Sequence, residues 1–166
     1  FSARVGRLAL SPDNAPIKVP CGEEAGEGTV ALTSVWTSDR VIVGVTSSFQ
    51  QPILPSKADP AAKEQAGETG SANRFLLDVQ VMNGREETLR IRKVVWTVRH
   101  SPFLPPASTE RGGVLVVGPN GTPRKPKTYT LQTNEALRYE DYIDIAGTTA
   151  IVEGEMWIEE EGDEGV

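Results

Sequence analysis

The chain has 166 residues, 38% of them hydrophobic, which is enough to bury the core of one domain. Its single cysteine and single histidine exclude a disulfide within the chain and a zinc site built from cysteine and histidine ligands. The formal net charge of −6 argues against a uniformly basic nucleic-acid binder, and no apolar run is long enough for a membrane helix.

Residues 1–28 are rich in proline and glycine and are predicted to form an extended arm without a core of its own. Residues 1–12 contain arginine and serine but no acidic residue, a composition compatible with the remnant of an organellar transit peptide. This composition favours a mitochondrial location, with a cytoplasmic one as the alternative. Cys21 has acidic neighbours and is not expected to be a reactive thiolate.

The segment from Thr29 to Ser48 is dominated by β-branched residues. This composition predicts two strands, separated by a turn at residues 38–40. A proline-containing loop follows and ends at Pro60. Residues 61–73 are small and polar, so we expect a mobile linker there.

The apolar and polar residues of segment 75–81 alternate, which is typical of a half-buried strand. Residues 83–87 supply turn chemistry, because asparagine and glycine tolerate positive φ angles. A second strand is predicted over residues 89–98. Together these segments predict one long antiparallel hairpin.

The three tryptophans each stand within an apolar stretch. We therefore predict that Trp36, Trp96 and Trp157 are core residues rather than platforms for stacking bases. On the last strand, Trp157 should lie on the opposite side from Met156, because successive side chains alternate.

The apolar residues between Gly112 and Gly118 are predicted to form a strand with turn glycines at both ends. The alternative is a glycine cradle that directs backbone N–H groups at a phosphate. Residues 129–131 predict a short strand, and two more strands follow up to Ile158. Residues 159–166 are predicted to be an acidic, solvated tail.

Two blocks of this sequence resemble the ApaG-domain family. In the first, an aromatic-rich strand ends at Asn83, and an acidic turn leads to a second strand that carries Trp96. The second block is similar to the turn and the strands that end the family's domain, at Glu135, Leu137, Tyr139, Val152, Gly154 and Met156. The chain departs from the family at residues 133–134, where Pro-Gly is usual, and at Met156, where an aromatic residue is usual.

The resemblance covers residues 41–158 and implies an all-β fold for a domain at residues 29–158: a two-sheet antiparallel sandwich, similar to fibronectin type III. Short strands and closely spaced turn residues favour the same class independently. The resemblance also implies a non-catalytic module, because ApaG-like domains serve in protein–protein recognition, alone in bacteria and within eukaryotic proteins such as F-box proteins. We therefore expect an interaction or structural subunit of a larger assembly, such as a mitochondrial ribosome.

The alternative function is a small-ligand module or phosphohydrolase. It would use the loop from Gly112 to Gly118 and nearby basic residues on a pyrophosphate or nucleotide. His100 is the one candidate general base at neutral pH, and the chain has no Gly-x-Ser-x-Gly nucleophile motif. We therefore predict no enzymatic activity, no cofactor and no metal site.

Positive charge is concentrated in segment 85–127, which holds nine basic and three acidic residues. Arg124, Lys125 and Lys127 lie on a proline-rich loop, and we predict that they contact an anionic partner, either RNA or an acidic protein. Arg90 and Arg92 would support that contact if they share its face. The alternative is an ordinary solvated loop. We expect other proteins of a larger complex as partners, and no membrane.

Overall fold

The computed structural model describes residues 1–20, 27–58, 60–66, 70–99, 107–111 and 129–160. The secondary-structure elements in these ranges are β1 (Ser2–Leu10), β2 (Ile17–Pro20), β3 (Glu27–Val30), β4 (Thr33–Ser38), β5 (Val41–Ile53), a 3-10 turn (Pro55–Lys57), α1 (Pro60–Ala66), β6 (Ala72–Asn83), β7 (Leu89–Arg99), β8 (Ala107–Arg111), β9 (Tyr129–Leu131), β10 (Ala136–Ala146) and β11 (Ala150–Glu160). Neither helix in these ranges has the length and apolar character needed to span a bilayer.

The strands form two antiparallel sheets packed around one core, together with a small ribbon of β2 and β3. The five-stranded sheet has the order β1-β11-β7-β8, and β9 also pairs with β7. The four-stranded sheet has the order β10-β6-β5-β4. The prediction of an all-β sandwich of two antiparallel sheets is therefore confirmed.

Alternation of side chains explains how each strand contributes to that core. In β6, the side chains that point inward are fully buried and those between them are not: Phe75, Leu77, Val79 and Val81 are the inward set. The facing sheet supplies Ile91, Val94 and Trp96 from β7 and Val152 and Met156 from β11. Because both sheets place their apolar side inward, the outward sides are left for polar residues.

The predicted hairpin over residues 75–96 is wrong, although both of its strands exist. β6 pairs with β5 and β10, whereas β7 pairs with strands of the other sheet, so the connection between them crosses the sandwich. Buried Asn83 holds this crossing: its amide nitrogen donates to the carbonyl oxygens of Glu87 (2.8 Å) and Leu131 (3.0 Å). Its amide oxygen accepts from the Arg85 N–H (2.9 Å), which fixes a wide arch instead of a tight reversal.

The prediction that residues 1–28 form an arm without a core is also wrong. β1 is an edge strand of the five-stranded sheet and pairs with β11 along its length. The pairing register shifts between Val5 and Leu8, which marks a β-bulge. The bulge interrupts the apolar alternation, and for this reason the strand was not evident from the sequence. Its buried residues are Ala3, Val5, Leu8, Ala9 and Leu10.

Two further boundaries differ from expectation. The predicted linker 61–73 includes most of α1 and the start of β6. The predicted acidic tail begins two residues too early, because Glu159 and Glu160 belong to β11. Glu160 pairs with Arg85, which also contacts Asp39 (2.8 Å), so the end of β11 is tied to two turns. In contrast, the turn between β4 and β5 and the short strand at residues 129–131 are confirmed.

The edges of the two sheets meet where β1 lies beside β4. The Ala9 N–H donates to the carbonyl oxygen of Ala31 (2.9 Å), and the Arg4 N–H donates to the Ser38 hydroxyl (3.2 Å). The first bond reaches the connection that precedes β4, and the second reaches the last residue of β4, so β1 is joined to the edge region of the other sheet. Both bonds satisfy backbone groups that an open edge would offer to another strand.

Candidate functional site

The outward side of β1, β7 and β11 carries an excess of positive charge. Among the described side chains, it presents six cationic and three anionic groups, and we call this surface the charged face. The whole chain has a formal net charge of −6, so the excess is local. The charged face consists of Arg4, Arg7, Arg90, Arg92, Lys93 and Arg99 with Glu153, Glu155 and Glu159.

A register shift in the β7–β11 pairing places two cations side by side. Lys93 is opposite Trp157, but Ile91 is opposite Ile158, so β7 has one extra residue at this point. Both Arg92 and Lys93 therefore reach the charged face, where strict alternation would allow one of them. The indole of Trp157 lies on the same side of the sheet as these two cations.

Ion pairs between the strands neutralise part of the charged face. Arg92 Nε lies 2.7 Å from a Glu159 carboxylate oxygen. Glu153 Oε1 lies 3.4 Å from Arg7 Nε and 3.8 Å from Arg99 Nε. These side chains are substantially exposed, so each pair contributes little to stability and can exchange for another partner.

Trp157 is the large aromatic residue of the charged face and is 41% exposed. The Lys93 ammonium lies 5.3 Å from the centroid of its ring, a cation–π distance. Beside the indole is a depression of about 400 Å³, lined by Phe1, Arg92, Lys93, Trp157, Ile158 and Glu159. A second depression, of about 370 Å³, lies farther along the face and is lined in part by Arg4, Val95, Thr97, Glu153 and Glu155.

The structure brings together two of the predicted contact residues and leaves three undescribed. Arg90 and Arg92 lie on the charged face with Lys93 and Arg99, as their spacing on one strand suggested. Arg124, Lys125 and Lys127 lie outside the described residues. So do Cys21, His100 and the loop from Gly112 to Gly118. Whether any of the five predicted residues contacts a partner stays a prediction.

The expectation that all three tryptophans are buried is wrong for two of them. Trp96 is completely buried, but Trp36 is 43% exposed and Trp157 is 41% exposed. Trp36 lies on edge strand β4, and the Arg4 guanidinium covers its ring at 5.2 Å. Trp157 follows buried Met156, as predicted, so its outward position was readable from strand alternation.

Beneath the charged face, the core contains a small polar cluster. Trp96 Nε1 donates to Asp141 Oδ2 at 3.2 Å, and both residues are buried. The nearby Tyr139 hydroxyl has no hydrogen-bond partner among the described residues. Burial, and then the charge of Asp141, raise the pKa of Tyr139 far above its usual value, so this phenol stays neutral. All three residues are buried, so the cluster is part of the core and not of the charged face.

The outward side of the four-stranded sheet differs from the charged face. Val35, Ile42 and Met82 are exposed on three neighbouring strands, and we call them the apolar patch. Ile42 lies directly opposite Met82, and Val35 lies opposite Gly44 in the adjacent row.

In the part of the chain that the structure describes, no group of three or more His, Cys, Asp or Glu side chains is arranged to hold a metal ion.

Comparison with known proteins shows similarity of fold. No family model and no curated protein sequence matches this chain. An X-ray structure determined as a target of the Northeast Structural Genomics Consortium aligns over 76% of this chain and 78% of its own, with a TM-score of 0.51 and 16% identity. The crystal structure of a Bordetella pertussis protein provisionally named ApaA aligns over 74% of this chain and 94% of its own, with a TM-score of 0.40 and 14% identity.

Proposed function

We propose that this chain is a non-catalytic, ApaG-like binding module that acts as an interaction or structural subunit of a larger assembly. The observation that carries the proposal is the charged face, where the described residues display six cations and three anions although the chain has a formal net charge of −6. Exposed charges contribute little to folding, so this polarity does not serve the sandwich itself. It is suited to attract and orient an anionic partner.

The ApaG-like part of the proposal draws on the two sequence blocks and on the sandwich that they form. Asn83 and Trp96 of the first block have structural roles at the crossing between the sheets and in the core. Gly154 of the second block packs against Trp96. Residues shared with the family thus build the fold, and the proposal that this fold serves recognition is an analogy with ApaG-like domains.

The assembly that we propose is an organellar ribonucleoprotein such as a mitochondrial ribosome. Its support is the basic charge of segment 85–127. The non-catalytic assignment is supported by the absence of a nucleophile motif from the sequence. We accordingly expect no turnover of pyrophosphate-containing substrates by the purified protein.

The experiment compares two variants that lose the same charge from different surfaces. One replaces Arg90, Arg92 and Lys93 by Gln on the charged face. The control replaces Lys57, Lys63 and Arg138 by Gln, because these exposed cations lie away from that face. Both proteins should melt within a few degrees of the wild type, since all six side chains contribute little to the core.

Affinity capture from native extract, followed by quantitative mass spectrometry, then reads out the assembly. The charged-face variant should lose partners that the wild type and the control retain, and its deficit relative to the wild type should be largest at low salt and shrink as added salt screens the charges. Equal recovery by both variants would show that the charged face is not the contact surface. Failure of the wild type to recover any stable partner would contradict the proposed function as a whole.

A further inference from the structure

We infer that the depression beside Trp157 is a nucleotide-binding site, in which a base stacks on the indole and its phosphate contacts Arg92 and Lys93. The inference rests on the proposed function, because it names the chemistry of the anionic partner. It concerns single nucleotides as well as nucleotides within a single-stranded RNA, since both present a flat base beside a phosphate.

The position of Trp157 within the sheet leaves its ring accessible. Its cross-strand neighbours are Ser2 on β1 and Lys93 on β7, and cross-strand neighbours project on the same side of a sheet. Ser2 is too small to cover an indole, and the Lys93 ammonium, 5.3 Å from the ring centroid, covers only part of it. The ring consequently borders the depression of about 400 Å³ and is 41% exposed.

The lining of the depression combines two kinds of contact. The indole offers a flat aromatic surface, and Arg92 and Lys93 offer positive charge from adjacent positions of β7. An inorganic anion would use only the cations, and a neutral aromatic compound would use only the ring. A nucleotide uses both at once, and single-stranded nucleic acids are bound by such pairings of stacking aromatics with basic side chains on sheet surfaces.

Glu159 provides a test of how the phosphate is held. A carboxylate oxygen of Glu159 lies 2.7 Å from Arg92 Nε, and both residues line the same depression. A phosphate that reaches Arg92 must compete with this carboxylate. Removal of the charge by Glu159→Gln should therefore tighten binding. The matched control is Glu140→Gln, which removes an exposed acid from β10 in the other sheet.

The chain also contains a control for the stacking residue. Trp36 is 43% exposed, almost as much as Trp157, and each indole has a cation over its ring, but Trp36 lies on edge strand β4 and does not line the depression. Trp157→Ala and Trp36→Ala thus remove equally exposed indoles from different places. Trp157→Phe retains an aromatic surface and should restore much of the binding. Thermal melting establishes that each variant is folded.

Binding is measured by fluorescence titration and calorimetry with five probes: adenosine monophosphate, inorganic phosphate, a single-stranded RNA of about twelve nucleotides, a duplex of the same length, and an acidic peptide. We expect the single-stranded RNA to quench tryptophan fluorescence. Trp157→Ala should weaken its affinity by roughly tenfold or more, whereas Trp36→Ala should leave it within about twofold. Glu159→Gln should tighten it more than Glu140→Gln.

The remaining outcomes separate the sources of the ligand from the failure of the inference. Binding of adenosine monophosphate at comparable strength identifies free nucleotides as ligands, and binding of the single-stranded RNA alone identifies RNA; either supports the site. Equal binding of inorganic phosphate, of the duplex or of the acidic peptide would overturn it, as would equal effects of Trp157→Ala and Trp36→Ala.

Different experimental outcomes would overturn the nucleotide-binding site and the proposed function. If nucleotide binding is absent but the charged-face variant still loses its captured partners, the inference is overturned and the proposed function stands. If the charged-face variant keeps its partners as well, both are overturned.

Discussion

The inner and outer sides of β7 and β11 are made by the same two strands, yet they differ in how tightly their side chains are held. On the inner side, Trp96 and Met156 are completely buried, and Gly154 leaves space for the Trp96 ring. On the outer side, Trp157 and its charged neighbours are exposed and joined by weak ion pairs. The difference teaches that stability is concentrated on the inner side, while the outer side is free to serve recognition.

The largest effect is expected for removal of the inner indole. Trp96→Ala deletes a completely buried aromatic side chain and leaves Asp141 without the Nε1–H that it accepts, so it should cost on the order of 3–5 kcal/mol. Trp157→Ala on the outer side should cost much less. Chemical denaturation of both variants measures the contrast. An unchanged midpoint for Trp96→Ala would show that this residue does not anchor the core.

A single methyl group added on the inner side should also lower the free energy of unfolding. A Cβ on Gly154 would lie 2.6 Å from Trp96 Cζ3 and 2.9 Å from Val5 Cβ, so Gly154→Ala should cost about 1–3 kcal/mol through overpacking. Gly44 is the control, because a Cβ there would meet nothing closer than Val35 Cγ2 at 3.8 Å. Gly44→Ala should be neutral or slightly stabilising. Equal melting temperatures for the two variants would contradict the packing described for Gly154.

Alkaline pH should destabilise the core through Tyr139, which is buried on β10 of the facing sheet. Burial, and then the charge of Asp141, raise the pKa of this phenol in the folded protein, so its contribution is complete below the unfolded pKa of about 10. Above that pH, ionisation of the unfolded chain should lower stability by roughly 1.4 kcal/mol per pH unit.

Tyr139→Phe should remove this alkaline loss and be neutral or slightly stabilising at pH 7, because the hydroxyl has no partner among the described residues. Urea unfolding of the wild type and of Tyr139→Phe at several alkaline pH values measures the difference. A Tyr139→Phe protein that loses stability as steeply as the wild type would exclude Tyr139 as the cause.

The smallest effect belongs to the outer side. Arg92→Gln breaks an exposed ion pair with Glu159, and the free energy of unfolding should change by less than about 0.5 kcal/mol. A larger loss, persisting in high salt, would mean that the charged face supports the fold, and the contrast between the two sides would have to be abandoned.

Part of the candidate site was readable from the sequence. Arg90 and Arg92 are two positions apart on one predicted strand, so a shared side follows from alternation. The exposure of Trp157 follows from the buried position of Met156 beside it. The pairing of Arg92 with Glu159 was not readable, because these residues are distant in sequence and meet only after β11 has aligned with β7. The register shift that places Lys93 beside Arg92 depends on the same alignment.

The sequence by itself determined the all-β class, the presence of β6, β7, β10 and β11, and the inward position of Trp96. It could do so because alternation and turn residues are local properties. Only the tertiary structure decided that β6 and β7 belong to different sheets and that β1 completes the core. The physical reason is that a period of two reports that one side of a strand is buried, but not which strand lies beside it. That choice is made by distant groups such as Asn83 and Leu131, whose hydrogen bond exists only in the folded chain.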